Sequence, residues 1–279
     1  MINLLTIDVE DWYHDLDPSL WGLCEDRVVN STQKILHIIK KQRHSATFFT
    51  LGCVAERFPN LIEQINDEGH EIATHGHLHT PITQKNKSEL ENDLHRSISV
   101  LEHIAQRKIL GHRACKFSIN NKTAWAIDVL KKSGLKYDSS IFPAVTPEYG
   151  VPQAPVYPYF ISSSNVEKDN SDGDFIEFPL SVFSFPLLRI NIPVAGGFYL
   201  RFLPYWFIKM SLKRINKMGY PGVVFIHPKD LDPQKPRIKE LSWHHYYGLS
   251  RAEEKFVKLL NDFKFTSIEN YLEKHGNHV

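Results

Sequence analysis

Three histidines fall within five positions of IATHGHLHT, residues 72–80: His75, His77 and His79. His75 and His79 are four residues apart. On a helical turn that spacing sets both imidazoles on one side, within reach of one metal ion, with His77 pointing elsewhere. The chain has 15 histidines in 279 residues, so a close pair arises readily by chance and needs further ligands to carry meaning. Carboxylates follow another apolar run: NLLTI (3–7) leads into Asp8, Glu10 and Asp11. A solvated acidic loop would read the same way, but buried and unpaired these groups would be costly. Arg113 in GHRACKF, Asp138 in LKYDSS and His227 at the end of GVVFIH also follow strand-like runs. Each alone is a weak signal. Gathered at one place they would make a hydrolytic centre, in which a cation polarises a carbonyl and activates water while side chains take and give protons.

Such a gathering needs elements whose ends meet. Short apolar runs at 3–7, 46–50, 71–74, 175–180 and 222–227 read as strands. Between them lie helical periods. STQKILHIIKKQ (31–42) starts at Ser31 or Asn30, and PNLIEQINDEGH (59–70) runs from Pro59 to Gly69. Leu90, Leu94, Ile98, Leu101 and Ile104 mark a long amphipathic helix, and others are expected near 122–133, 203–217 and 250–262. This alternation predicts parallel strands with helices outside, as a barrel or an open doubly wound sheet. In both, chemistry sits at the C-terminal ends of the strands, where these residues fall. Five prolines in 143–160 predict an ordered irregular loop, and the polar run 162–174 a mobile excursion. There is no internal repeat, and residues 1–279 read as one catalytic domain.

Composition narrows the partners. Hydrophobic content of 42% with 23% charged residues fits a protein with a full core. Net charge is +1, with no excess that would favour nucleic acid. Cys24, Cys53 and Cys115 are too few and too scattered for a disulfide framework, and fit a reducing compartment. The start, MINLLTIDVEDWYHD, lacks the basic region of a signal peptide, and no apolar run is long enough to span a bilayer. The expectation is a cytoplasmic protein without a transmembrane segment.

The combined pattern resembles the polysaccharide deacetylases, a carbohydrate esterase family that includes chitooligosaccharide and peptidoglycan N-deacetylases. The runs that carry it are TIDVEDWYH, ATFFTLGCVAERFPNLIEQINDEGHEIATHGHLH, YDSSIFP, EFPLSV, PVAGGFYLRFLPYW and IHPKDLDP. It is closest to a branch linked to exopolysaccharide and surface-glycan biosynthesis. The resemblance implies a distorted (β/α) barrel with fewer than eight regular strands and one divalent metal, zinc first, with cobalt, manganese or nickel able to use the same ligands. It assigns the base to Asp8, the metal histidines to His75 and His79, and the base-orienting arginine to Arg113. His227 matches the catalytic histidine, and Asp138 lies near the acidic residue that partners it. The family's adjacent aspartates are separated here, so the third ligand is Glu10 or Asp11. Strand alternation favours Glu10, and a turn after Val9 would favour Asp11. Cys115 stands where proline is common, and Phe198 where a third glycine is common. The implied activity is removal of an acetyl group from an N-acetylated sugar. Hydrolysis of another C–N bond (a formamide, cyclic imide or allantoin-like amide) and a non-catalytic glycan-binding role are the competing readings.

Overall fold

The computed structural model describes residues 1–185 and 190–276. Its centre is β1 (Ile2–Val9). On one flank β1 pairs in parallel with β10 (Val223–Ile226). On the other it pairs with β11 (Lys264–Thr266) along its first half and β2 (Thr47–Thr50) along its second. From β2 the sheet continues in parallel through β3 (Glu71–Thr74), β4 (Gly111–His112), β5 (Tyr137–Asp138) and β7 (Ile176–Glu177). An antiparallel β6 (Tyr159–Phe160) ends it. Four of these nine strands are two residues long, which fits a barrel whose regular part is incomplete. A separate hairpin pairs β8 (Val182–Phe185) with β9 (Ile190–Pro193).

The expected strand over 175–180 is regular only at Ile176–Glu177. Beyond Pro179 the backbone changes partners. Phe178 N donates to Asp138 O, whereas Ser181 N donates to Val223 O at 3.2 Å and Ser181 Oγ accepts from Val223 N at 2.7 Å. One segment thereby joins the far side of the sheet to β10 and curls it into a distorted barrel.

Helices cover the outside: α1 (Val28–Gln42), α2 (Gly52–Arg57), α3 (Pro59–Asp67), α4 (Lys87–Ala105) and α5 (Ala126–Lys132). Later come α6 (Gly197–Phe202), α7 (Tyr205–Lys217), α8 (Leu249–Asp262) and α9 (Ile268–His275). The apolar face of α1, with Ile35, Leu36 and Ile39, is fully buried. Arg43, in the left-handed region at φ 56°, ends that helix. Asn86 and Glu89 form a reciprocal capping box at the start of α4. His70 is buried against Phe48 with neither ring nitrogen hydrogen-bonded.

The period of two along β1 divides the core. Leu5, Ile7 and Val9 belong to the larger cluster shared with α1, α3 and α4. Leu4 points the other way, into a cluster with Phe49, Ala73, Phe178 and Phe225. Thr6 and Asp8 follow Leu4 on that inner face.

Candidate active site

Asp8 is at the inner, C-terminal end of β1. Arg113, just past β4 and fully buried, reaches it: Nη1 is 2.6 Å from Asp8 Oδ1. The guanidinium is pinned by Thr6 Oγ1, Ser139 O and Ser139 Oγ at 2.7–2.8 Å, and lies 4.2 Å from the centre of the Phe49 ring. A buried carboxylate is tolerated there because a buried cation held by four hydrogen bonds faces it.

His75 and His79 follow β3. His75 Nδ1 is 2.8 Å from the Arg113 carbonyl, and His79 Nδ1 is 3.0 Å from the His14 carbonyl. A carbonyl only accepts, so in both rings Nδ1 carries the hydrogen and Nε2 turns its lone pair inward. Metal-binding histidines are commonly held this way. Burial pushes His75 down to about 4, so it is neutral at ordinary pH. Burial also opposes charge on His79, but the Glu10 carboxylate outweighs it and raises that histidine. His77 turns away, its Nε2 lying 3.7 Å from Glu56.

Glu10 Oε2 is buried, 2.8 Å from His79 Nε2, without the alignment of a hydrogen bond. Burial works against its charge, yet His79, Lys229 and His227 together hold it well below the usual carboxylate range. An orphaned, ionised oxygen beside two inward-facing imidazole nitrogens suits a divalent cation with N and O ligands. Cys115 Sγ falls in the same cluster as His75 and His79, but burial drives its thiol well above the ordinary value, so Glu10 is the better donor.

Two expectations are corrected. Asp11 does not face the histidines. Being one residue past Glu10 turns it outward, where Oδ2 accepts from the backbone N–H of Arg27 and Val28 at 2.7 and 2.8 Å. It caps α1, which therefore starts earlier than Ser31. Asp138 does not partner His227 either. Its Oδ1 is 2.7 Å from His112 Nδ1 and accepts from Ser140 Oγ, under the barrel wall. His227 Nδ1 pairs with Asp230 Oδ2 at 2.9 Å, and Arg201 Nη2 lies 3.0 Å from Asp230 Oδ1. Asp230 approaches closely because position 197 is glycine: a Cβ there would lie 1.6 Å from its carboxylate.

His227 Nε2 faces the centre, 3.8 Å from Asp8 Oδ2 and 3.3 Å from Glu10 Oε1. Burial and Lys229 lower its pKa, while Glu10 and Asp230 outweigh them and raise it. Asp8, Glu10, His75, His79 and His227 line one pocket. Sequence reading missed Asp230, Arg201, Asp15 and Lys229 in that wall. Lys229 Nζ joins Glu10 Oε1 at 2.5 Å to Asp15 Oδ2 at 2.7 Å. The short HPKD spacing after a strand was the available signal for Lys229 and Asp230. Phe198 and His245 also line the pocket.

The curled, mostly parallel sheet carries carboxylates and histidines at its strand ends, on a distorted (β/α) barrel. Residues 15–137 match the polysaccharide deacetylase family. Residues 139–273 match a domain of unknown function, DUF3473. A peptidoglycan-N-acetylglucosamine deacetylase of Bacillus cereus is 38% identical over 74 residues, 26% of this chain. That match spans 27% of the relative's length. A Mycobacterium smegmatis structure assigned to the polysaccharide deacetylases superposes with a TM-score of 0.64 at 21% identity, covering 98% of this chain and 89% of the other. The PuuE allantoinase structure reaches 0.62 at 13% identity, covering 99% and 91%. Both likenesses are of fold.

Proposed function

We propose that this chain is a metal-dependent carbohydrate N-deacetylase that removes acetyl groups from an N-acetylated sugar during surface-polysaccharide synthesis in the cytoplasm. One observation carries the reading: Asp8, fixed by Arg113, and His227, fixed by Asp230, face one another beside the inward nitrogens of His75 and His79. Glu10, His75 and His79 would hold the cation, with zinc the first choice for such ligands. When bound, it supplies polarisation of the amide carbonyl and acidification of water.

The side chains supply the rest. Asp8 takes a proton from the attacking water as its oxygen bonds to the acetyl carbon. Arg113 keeps that carboxylate ionised and correctly aimed. The C–N bond then breaks, and His227 Nε2 gives its proton to the departing sugar nitrogen. The products are acetate and a free amine. The names of the sequence relatives support the acetamido-sugar class.

The test uses purified protein loaded with zinc and a panel of chitooligosaccharides, peptidoglycan fragments, N-formyl sugars and allantoin. Acetate release from an acetamido sugar is expected. Formate or ureide products alone would select the other C–N hydrolases, and no turnover with metal retained would select a binding role. Glu10→Gln should cut metal content sharply by elemental analysis. Unchanged stoichiometry would remove Glu10 from the ligand set.

A further inference from the structure

Between Glu177 and Asp230 the sequence has no acidic residue, although the chain as a whole contains 32. The same 52 residues, 178–229, contain Arg189, Arg201, Lys209, Lys213, Arg214, Lys217 and Lys229. In a chain of net charge +1 this is a strong local asymmetry. Arg189 lies outside the described residues. Two of the others are consumed inside the pocket wall, Arg201 by Asp230 and Lys229 by Glu10 and Asp15. The remaining four lie on α7, where Lys209 pairs with Asp262 of α8 at 2.8 Å, leaving Lys213, Arg214 and Lys217.

The outward side of α7 has a defined pattern. Trp206, Met210, Lys213 and Lys217 are exposed at helical spacing, one apolar half-stripe followed by one basic half-stripe. Trp206 is 66% exposed and Met210 41%, on a helix whose other side buries Ile208 and Leu212. Phe202 at the end of α6 is 49% exposed, and Phe185 and Ile190 on the neighbouring hairpin are 37% and 51% exposed. Aromatic contacts tie α7 to β8: Trp206 to Phe207 at 5.8 Å, Phe207 to Phe183 at 5.3 Å, and Phe183 to Phe185 at 4.8 Å. Arg214 lies over the Phe183 ring at 4.8 Å. A large exposed tryptophan amid other exposed apolar groups marks a contact surface rather than ordinary solvent-facing scatter.

We propose that α6, α7 and the β8–β9 hairpin form a docking face for an anionic lipid bilayer. The charge selects the partner. Exposed Lys213 and Lys217 beside Trp, Phe and Met, on elements that carry no acidic residue of their own, match the interface of a membrane with negative headgroups, where aromatic rings sit at headgroup level and ammonium groups meet the phosphates. No described helix is long and apolar enough to cross a membrane, so α7 would lie along the surface. The face is continuous with the pocket. Phe198 lines the pocket and stacks on Phe202 at 5.4 Å, which puts the rim of the site beside the bilayer. A glycan held at the membrane by a lipid carrier would be presented directly to that rim. That last step rests on the deacetylase reading; membrane docking itself does not.

The experiment is co-sedimentation of the full chain with vesicles of phosphatidylglycerol and phosphatidylcholine mixed, against phosphatidylcholine alone. Binding to the anionic vesicles, weakened by salt, is expected. Trp206→Ser with Met210→Ser, and separately Lys213→Glu with Lys217→Glu, should each lower partitioning by roughly tenfold or more. Circular dichroism and acetate release from a soluble substrate should stay at wild-type values, because these side chains face solvent away from the pocket. Protein that remains in the supernatant with anionic vesicles overturns the proposal. So does binding that neither double variant reduces. A concentration-dependent dimer that Trp206→Ser with Met210→Ser disperses, with no vesicle binding, would assign the face to a second copy of this chain instead. Loss of turnover in the wild type with vesicle binding intact would count against the deacetylase reading alone.

Discussion

Asp8 and Glu10 were legible in the sequence because a strand's alternation leaves little choice. Once Leu5, Ile7 and Val9 face the helices, Leu4, Thr6 and Asp8 face inward, and Glu10 continues that face. The histidine pair stood out by its spacing, but only the strand-end carboxylates and the family resemblance gave that spacing meaning, and residues 75–80 are not helical. The acidic partner of His227 was not. Asp138 ends a strand and Asp230 sits in a short turn after Pro228, so a search of strand ends finds the wrong one. Asp230 makes a prediction at this scale. Its carboxylate, with that of Glu10, raises His227 against burial and Lys229. His227 must be protonated to act as the acid, so activity falls as pH rises through its pKa. In Asp230→Asn one raising charge is gone, and the alkaline limb of kcat/KM should move to lower pH while metal content stays constant. An unmoved limb would show that His227 is not the titrating acid.

Neighbouring carboxylates can serve different elements. Asp11 holds the first N–H groups of α1 from a strand end distant in sequence, with the helix's positive pole beside its charge. Sequence patterns place an N-cap next to its own helix, which is why Ser31 or Asn30 looked like the start. The capping box of α4 is the local kind, and there Asn86 and Glu89 are only three residues apart. Asp11→Ala should lower stability by about 1–2 kcal/mol in denaturant titrations, the usual worth of a cap. Zinc stoichiometry should be unaffected. A loss of metal without a loss of stability would return Asp11 to the site.

At the scale of the molecule, alternation of strands and helices foretold a parallel sheet, but not how it closes. Closure depends on single bonds at Ser181, in a segment with no period to read. Nor could pattern alone foretell that the first strand lies inside the sheet, with β10 on one side and β11 and β2 sharing the other. That placement sets a timetable. Thr6 meets Val224 across 218 residues, so on the ribosome β1 is finished on the order of ten seconds before β10 exists, and β11 comes later still. Until then an apolar strand has one open edge and part of another, a template for pairing with other chains. Deleting residues 264–279 removes none of the described residues that line the pocket, yet it strips β11 from β1. The truncated chain should accumulate as aggregates, measured as the soluble fraction after expression, and chaperone co-expression should recover part of it.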